Sequence, residues 1–251
     1  MAARGVGAGA ASGLQRLESG QTVVVADAGP PPDADLNPAA HAGALAFEYS
    51  DGEDRIVTNV GGGTGTRRGV DRRLDLPVRM TAAHSTLTLD DHNQSDVEDG
   101  EPLGQGVDTV EVERRESEEG LWIEASHDGY LKRFGLTHAR DLFLSAGGTD
   151  LRGEDRLEPR GRKGAKSRPF TIRFHLTPTT DVTPTADGKG ALLKTASGKM
   201  WQMKLSGGTL TVDDSLWIGE DARAHRTRQL VISGETSDEG ARVRWRFNKV
   251  R

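Results

Sequence analysis

Residues 81–91 read TAAHSTLTLDD. From His84 the run alternates strictly, and period-two alternation predicts a half-buried β-strand. Leu87 and Leu89 point to one face; His84, Thr86 and Thr88 point to the other. An imidazole thus heads the polar face of an ordinary strand. The plain account is a solvated histidine. The sharper one is a ligand or acid–base group at the rim of a sheet.

The rest of the chain repeats the strand signal. QTVVVADAG (21–29) ends in the Pro30–Pro32 run. ALAFEYS (44–50) and RIVTNV (55–60) flank DGED, a hairpin signal. DTVEVERRES (108–117) and GLWIEASHDGY (120–130) flank EEG; DLFLSA (141–146) and DLRGEDRLEP (150–159) flank GGT. PFTIRFHLTP (169–178), KGALLKTA (189–196), KMWQMKLSG (199–207), TLTVDDSLWIG (209–219), TRQLVISGE (227–235) and ARVRWRFNKV (241–250) follow. Short strands at regular spacing predict a large, all-β, antiparallel sandwich with few or no helices. The best helix candidate is NPAAHAGAL (37–45), with Pro38 in a first turn. The Gly/Ala-rich start lacks the apolar block of a secretory signal, so residues 1–18 read as a flexible tail before a sandwich domain over 19–251.

Composition narrows the function classes. The chain has 251 residues, 34% hydrophobic, with 32 glycines to supply turns. A net charge of −5 gives no electrostatic case for nucleic acid. There is no cysteine, which excludes disulfides, thiolate metal sites and a cysteine nucleophile. No apolar run is long enough for a membrane span. Cytoplasmic and periplasmic locations fit equally. GxSxG, P-loop, dinucleotide, HExxH and paired-cysteine zinc signatures are all missing.

Two loops are basic. GGGTGTRRGVDRR (61–73) carries Arg67, Arg68, Arg72 and Arg73; EPRGRKGAKSRP (158–169) carries Arg160, Arg162, Lys163, Lys166 and Arg168. Either suits an anionic ligand, and a solvated loop is the commoner explanation.

Three stretches together, HAGALAFEYSDGEDRIVTNVG (41–61), AAHSTLTL (82–89) and EASHDGYLKRFGLTHARDLFLSAGGTDLRGEDRL (124–157), resemble the C-terminal β-domain of the bacterial heparinase II/III-like polysaccharide lyases. His41, Asn59 with Gly61 nearby, His84–Ser85–Thr86, and His127–Gly129–Tyr130 leading to Arg140 and Asp155 carry the likeness, which covers roughly residues 14–250. The resemblance implies a super-sandwich fold and β-elimination of uronate-containing polysaccharides such as glycosaminoglycans. It also implies an α/α-toroid domain or subunit that supplies a catalytic tyrosine and most of the cleft. No stretch of this chain matches that toroid, so the implied protein is a lyase component that is not self-sufficient. The alternative is a non-catalytic carbohydrate-binding or interaction sandwich.

The resemblance places His41, His84 and Asn59 in the catalytic role, with Arg67, Arg68, Arg72, Arg73, His127 and Tyr130 contacting an anionic polysaccharide. In zinc-containing relatives two histidines and an aspartate bind the ion; the matching residues here are His41, Asn59 and His84. A neutral amide is a poor zinc ligand, so the expected cofactor is none, or a weakly held zinc. Without metal, Asn59 would fix an imidazole tautomer. A polar cluster between strands explains the same three residues. For His127 and Tyr130 the plainer account is a phenol capping the sandwich and an imidazole bonded to a backbone carbonyl. His175 reads as part of a polar sheet surface, and His92, His138 and His225 as surface residues. Trp122, Trp201, Trp217 and Trp245 read as core.

Overall fold

The computed structural model describes residues 13–33, 35, 39–61, 72–161 and 166–250. Among these, sixteen strands follow in chain order. They are β1 (Leu14–Ser19), β2 (Thr22–Asp27), β3 (Phe47–Asp51), β4 (Asp54–Thr58), β5 (Leu87–Leu89), β6 (Val110–Ser117), β7 (Gly120–His127) and β8 (Leu136–Ser145). Then come β9 (Asp150–Pro159), β10 (Pro169–Leu176), β11 (Asp181–Pro184), β12 (Gly190–Lys194), β13 (Met200–Ser206), β14 (Thr209–Ile218), β15 (Ala224–Glu235) and β16 (Ala241–Lys249). One short helix, Leu131–Phe134, and three 3-10 turns complete the described elements.

The strands form two antiparallel sheets of eight. The first runs β1-β2-β3-β4-β10-β15-β14, with β5 also paired to β10; the second runs β11-β12-β13-β16-β9-β8-β7-β6. The inward rows of the two sheets interdigitate. Phe47 and Phe174 of the first meet Trp245 and Phe247 of the second, with ring centroids 4.9–5.9 Å apart. Each of these rings is almost wholly buried, and burial of such a side chain is worth about 2 kcal/mol. Among the described residues no helix is long and apolar enough to cross a membrane.

Two expectations are corrected. Leu14 to Glu18 are not tail but most of β1, which pairs with β2 in full register and buries Leu17 completely. LQRLES has only two apolar residues, spaced by three, so it carries no period-two signal. No helix forms over residues 39–45, where turns and extended chain lead into β3; residues 36–38 lie outside the described residues.

The position of β5 creates the feature that matters. β10 pairs along one edge with β5 through Phe170↔Leu89 to Ile172↔Leu87, and further on with β4 through His175↔Thr58 and Leu176↔Val57. Two strands therefore share one edge, and a gap opens between the end of β4 and the start of β5. Asn59 and His84–Thr86 occupy that fork.

Candidate functional site

The strand expected from His84 begins only at Leu87. The reason lies in the fork. The Ser85 amide donates to Asn59 Oδ1 at 2.8 Å, while the Ser85 hydroxyl donates to the Thr58 carbonyl and accepts from the His175 amide. Side chains therefore take up the hydrogen bonds a ladder would have used. The face expected to be polar and solvated is covered as well: His84, Thr86 and Thr88 are all at most 5% exposed.

His41 and His84 converge, although 43 residues separate them in sequence. His41 Nδ1 lies 3.2 Å from His84 Nε2, and the ring planes are near-parallel, 10° apart, with centroids 5.1 Å apart. Gly43 makes this possible, because a Cβ there would lie 2.2 Å from the His84 ring. Two buried arginines hold the flanking backbone. Arg79 donates to the carbonyls of Ala40, Glu98 and Glu101, and its own carbonyl accepts from Ala42, so it brackets His41 on both sides. Arg140, reaching across from β8, donates through Nη1 to the carbonyls of Leu45 and Ser85.

The electrostatics favour two neutral imidazoles. Burial, then the neighbouring His41 and His175, pushes His84 down to about 3. Burial and the Arg79 charge lower His41. His84 Nδ1 is buried without a hydrogen-bond partner. A buried orphan N–H costs more than a buried lone pair, so the proton sits on Nε2 and His84 donates to His41 Nδ1. His41, half-buried, then carries its proton on Nε2.

Asn59 does not touch either imidazole through a hydrogen bond. Its oxygen holds the Ser85 amide and its Nδ2 donates to Glu48 at 3.3 Å, so it positions the backbone beside His84 rather than a tautomer. This set does not fit a zinc site. The amide oxygen is already used, only two imidazole nitrogens face each other, and no group of three or more His, Cys, Asp or Glu side chains forms a metal cage among the described residues.

The other expected residues are scattered. Arg67 and Arg68 lie outside the described residues. Arg72 and Arg73 fall in the 3-10 turn Arg72–Leu74, with the Arg73 side chain exposed. His127 and Tyr130 are 2% and 1% exposed, so neither is presented to a polymer, and that expectation is corrected. The Tyr130 hydroxyl donates to the Leu87 carbonyl at 2.7 Å, and burial raises its pKa.

His127 belongs to a buried chain that sequence reasoning missed. Gly129 N–H donates to His127 Nδ1, which fixes the His127 proton on Nε2. His127 Nε2 then donates to His138 Nδ1 at 3.2 Å, and His138 Nε2 donates to Asp155 Oδ1 at 2.8 Å. Arg140 Nε and Trp245 Nε1 also donate to Asp155, each at 2.8 Å. Burial alone would raise Asp155, but Arg140 and His138 overcome it and hold the carboxyl ionised. His138, expected at the surface, is 0% exposed. The signal was present: Leu136, His138, Arg140, Leu142 and Leu144 share one period-two face of β8. His175 is also buried rather than on a polar surface, bonded to Ser215 and to the Ala82 carbonyl.

A model of the heparinase II/III-like C-terminal region matches residues 1–246. The chain belongs to the heparinase II/III-like C-terminal family. Heparan sulfate lyase HepC from Pedobacter heparinus superposes with a TM-score of 0.75 at 14% identity, over 94% of this chain and 35% of that one. The heparinase III BT4657 gene product gives 0.73 at 14%, over 94% and 34%. At that identity the likeness is one of fold. FtsZ-localized protein C of Caulobacter vibrioides is 31% identical over 265 residues, covering 98% of this chain and 44% of that protein. This chain thus spans less than half the length of that curated relative.

Proposed function

We propose that this chain is the β-domain of a heparinase II/III-type lyase acting on uronate-containing polysaccharides, dependent on an α/α-toroid domain or subunit. The observation that carries the reading is the His41–His84 pair, held in the fork between β4 and β5 by Arg79 and Arg140. In β-elimination a base removes the proton beside the uronate carboxylate, the C–O bond to the next sugar breaks, and charge accumulates on the carboxylate. His41, neutral and protonated on Nε2, donates to that carboxylate, and the nearby Arg79 charge supports the same role. The arginine-rich 61–73 loop, which follows Asn59 closely, supplies further cations for uronate or sulfate. The base and the leaving-group acid come from the toroid.

The test is incubation with heparin, heparan sulfate and alginate, alone and with a toroid partner, following the ultraviolet absorbance of unsaturated uronate. Product with the partner, lost in His41→Ala, is the expected result. No product in any combination removes the lyase reading.

A second reading is an interaction sandwich, favoured by the 31% identity to a protein named for its localisation with FtsZ. It predicts co-sedimentation with FtsZ polymers that His41→Ala leaves unchanged.

A further inference from the structure

The outer face of the second sheet carries a row of side chains that neither reading uses. Trp122 of β7 lies opposite Phe143 of β8, Phe143 opposite Arg152 of β9, Arg152 opposite Arg246 of β16, and Arg246 opposite Lys204 of β13. Neighbouring strands lie about 4.8 Å apart, so this rung runs about 19 Å straight across the sheet. At one end Trp122 and Phe143 pack with centroids 4.6 Å apart, and the Arg152 guanidinium sits 5.3 Å from the Phe143 ring centre. The three cations beyond them are exposed. A shallow groove of about 420 Å³ follows the rung. Trp122, expected in the core, is thus half-buried on the outside.

Like charges directly opposite in a sheet are destabilising. The adjacent acidic rung, Glu124–Asp141–Glu154, is answered by cations: Arg115 pairs with Glu124, Arg156 with Asp141 and Glu154, and Arg244 with Glu154. The cationic rung is not answered in that way. Arg152 and Arg246 share a single carboxylate, Asp150, and Lys204 forms no ion pair among the described residues. The face therefore keeps a local excess of positive charge in a chain whose net charge is −5.

We propose that this rung binds an acidic oligosaccharide laid across the strands, one sugar ring on Trp122 and its anionic groups on Arg152, Arg246 and Lys204. The shape favours a glycan over an acidic peptide. A peptide that joins a sheet pairs with the free N–H and C=O groups of an edge strand. The rung crosses the middle of the sheet, where those groups are already paired, and only rings and cations are offered. An aromatic shelf takes the apolar face of a sugar ring, and an open groove lets a polymer continue past both ends. The proposal does not depend on the lyase reading, because the histidine pair belongs to the other sheet.

Binding of the whole chain to fluorescently labelled oligogalacturonate and heparin hexasaccharides tests it, with cellohexaose and polyglutamate as comparison probes. Trp122→Ala and the double variant Lys204→Glu/Arg246→Glu should each weaken binding about tenfold or more. Arg55→Glu, a charge reversal at an exposed position on β4 of the other sheet, should bind as the parent does. Elimination is not read in this assay, so its failure is distinct from failure of the lyase reading. Lys204 is exposed and forms no ion pair among the described residues, so Lys204→Glu alone should keep the parent's thermal midpoint and still weaken binding. The double variant, which takes Arg246 from the buried Asp150, should melt lower. Three results would overturn the proposal: no binding of either acidic glycan by the parent; binding that the rung variants keep, or that Arg55→Glu loses equally; or equal, rung-dependent binding of polyglutamate, which would assign the face to an acidic protein.

Discussion

Gly43 lacks a side chain where the His84 imidazole needs the space. Its Cβ would stand 2.2 Å from Cδ2 and 2.9 Å from Nε2, the nitrogen that faces His41. Gly43→Ala should therefore separate the two rings as well as destabilise the fold. Overpacking of this kind costs about 1–3 kcal/mol. A lower denaturant midpoint together with shifted imidazole resonances of His41 checks both effects; an alanine variant with the parent's spectrum would contradict the packing argument. Asn59→Asp makes a different case. The Nδ2 donor to Glu48 becomes a carboxylate oxygen facing another carboxylate, while the acceptor for the Ser85 amide survives. The loss should be about 1–3 kcal/mol at neutral pH. It should shrink as pH falls and the carboxyl introduced at position 59 takes up a proton. Comparing denaturant midpoints of parent and variant at pH 7 and pH 4.5 measures the difference, which should narrow.

β8 joins the two sheets through chemistry rather than through pairing. Its inward row carries His138 and Arg140 between leucines, and Arg140 spans the core from Asp155 on β9 to the Leu45 and Ser85 carbonyls beside the fork. Its guanidinium also lies 5.5–6.0 Å from the ring centres of Phe47, Phe174 and Trp245. Asp155→Ala would leave that cation buried without its carboxylate, a change that typically costs about 3–5 kcal/mol. The expected readout is a large fall in midpoint. Asp155→Ala/Arg140→Met should recover part of it, since removing both charges removes the uncompensated one; no recovery would mean that the carbonyl contacts of Arg140 dominate. These residues also show what sequence can convey at this scale. The alternation that revealed the strands was equally present in LTHARDLFLS, and placing His138 and Arg140 among the leucines required only trusting it. β1 was not legible, because LQRLES is held by pairing to β2 and one buried leucine. Nor was the truncation of β5, because the competition of Asn59 and Ser85 for backbone groups depends on β4 and β5 sharing an edge of β10.

Across the whole molecule the histidines are the most telling group, because four of the seven, His84, His127, His138 and His175, are at most 5% exposed. The pair His41–His84 was legible through the order of short motifs around it. The depth of the others was not, since burial in a two-sheet sandwich is decided by which strand covers which. Burial holds His84 down to about 3 and His175 to about 4, and lowers His127 and His138 as well. In the unfolded chain each returns to about 6.5. These imidazoles therefore bind more protons in the unfolded state below pH 6.5, and stability falls as pH falls, with Asp27, raised by burial to about 6, offsetting about one proton's worth between about pH 6 and pH 4. Above pH 6.5 the effect is absent. Below it each strongly depressed imidazole removes about 1.4 kcal/mol per pH unit, until the folded value is reached. By pH 5 His84 and His175 together account for about 4 kcal/mol, with a further loss from His127. That is a large share of the roughly 5–15 kcal/mol that stabilises a typical domain. Asp155 works in the same direction lower down, since its ionised form is favoured in the fold and is lost only in stronger acid. Denaturant midpoints at pH 7, 6 and 5 should therefore drop steeply, and His175→Gln should flatten the slope by about one proton's worth. A midpoint that holds constant between pH 7 and pH 5 would mean that these imidazoles reach solvent, and the packing of both sheets around them would have to be redrawn.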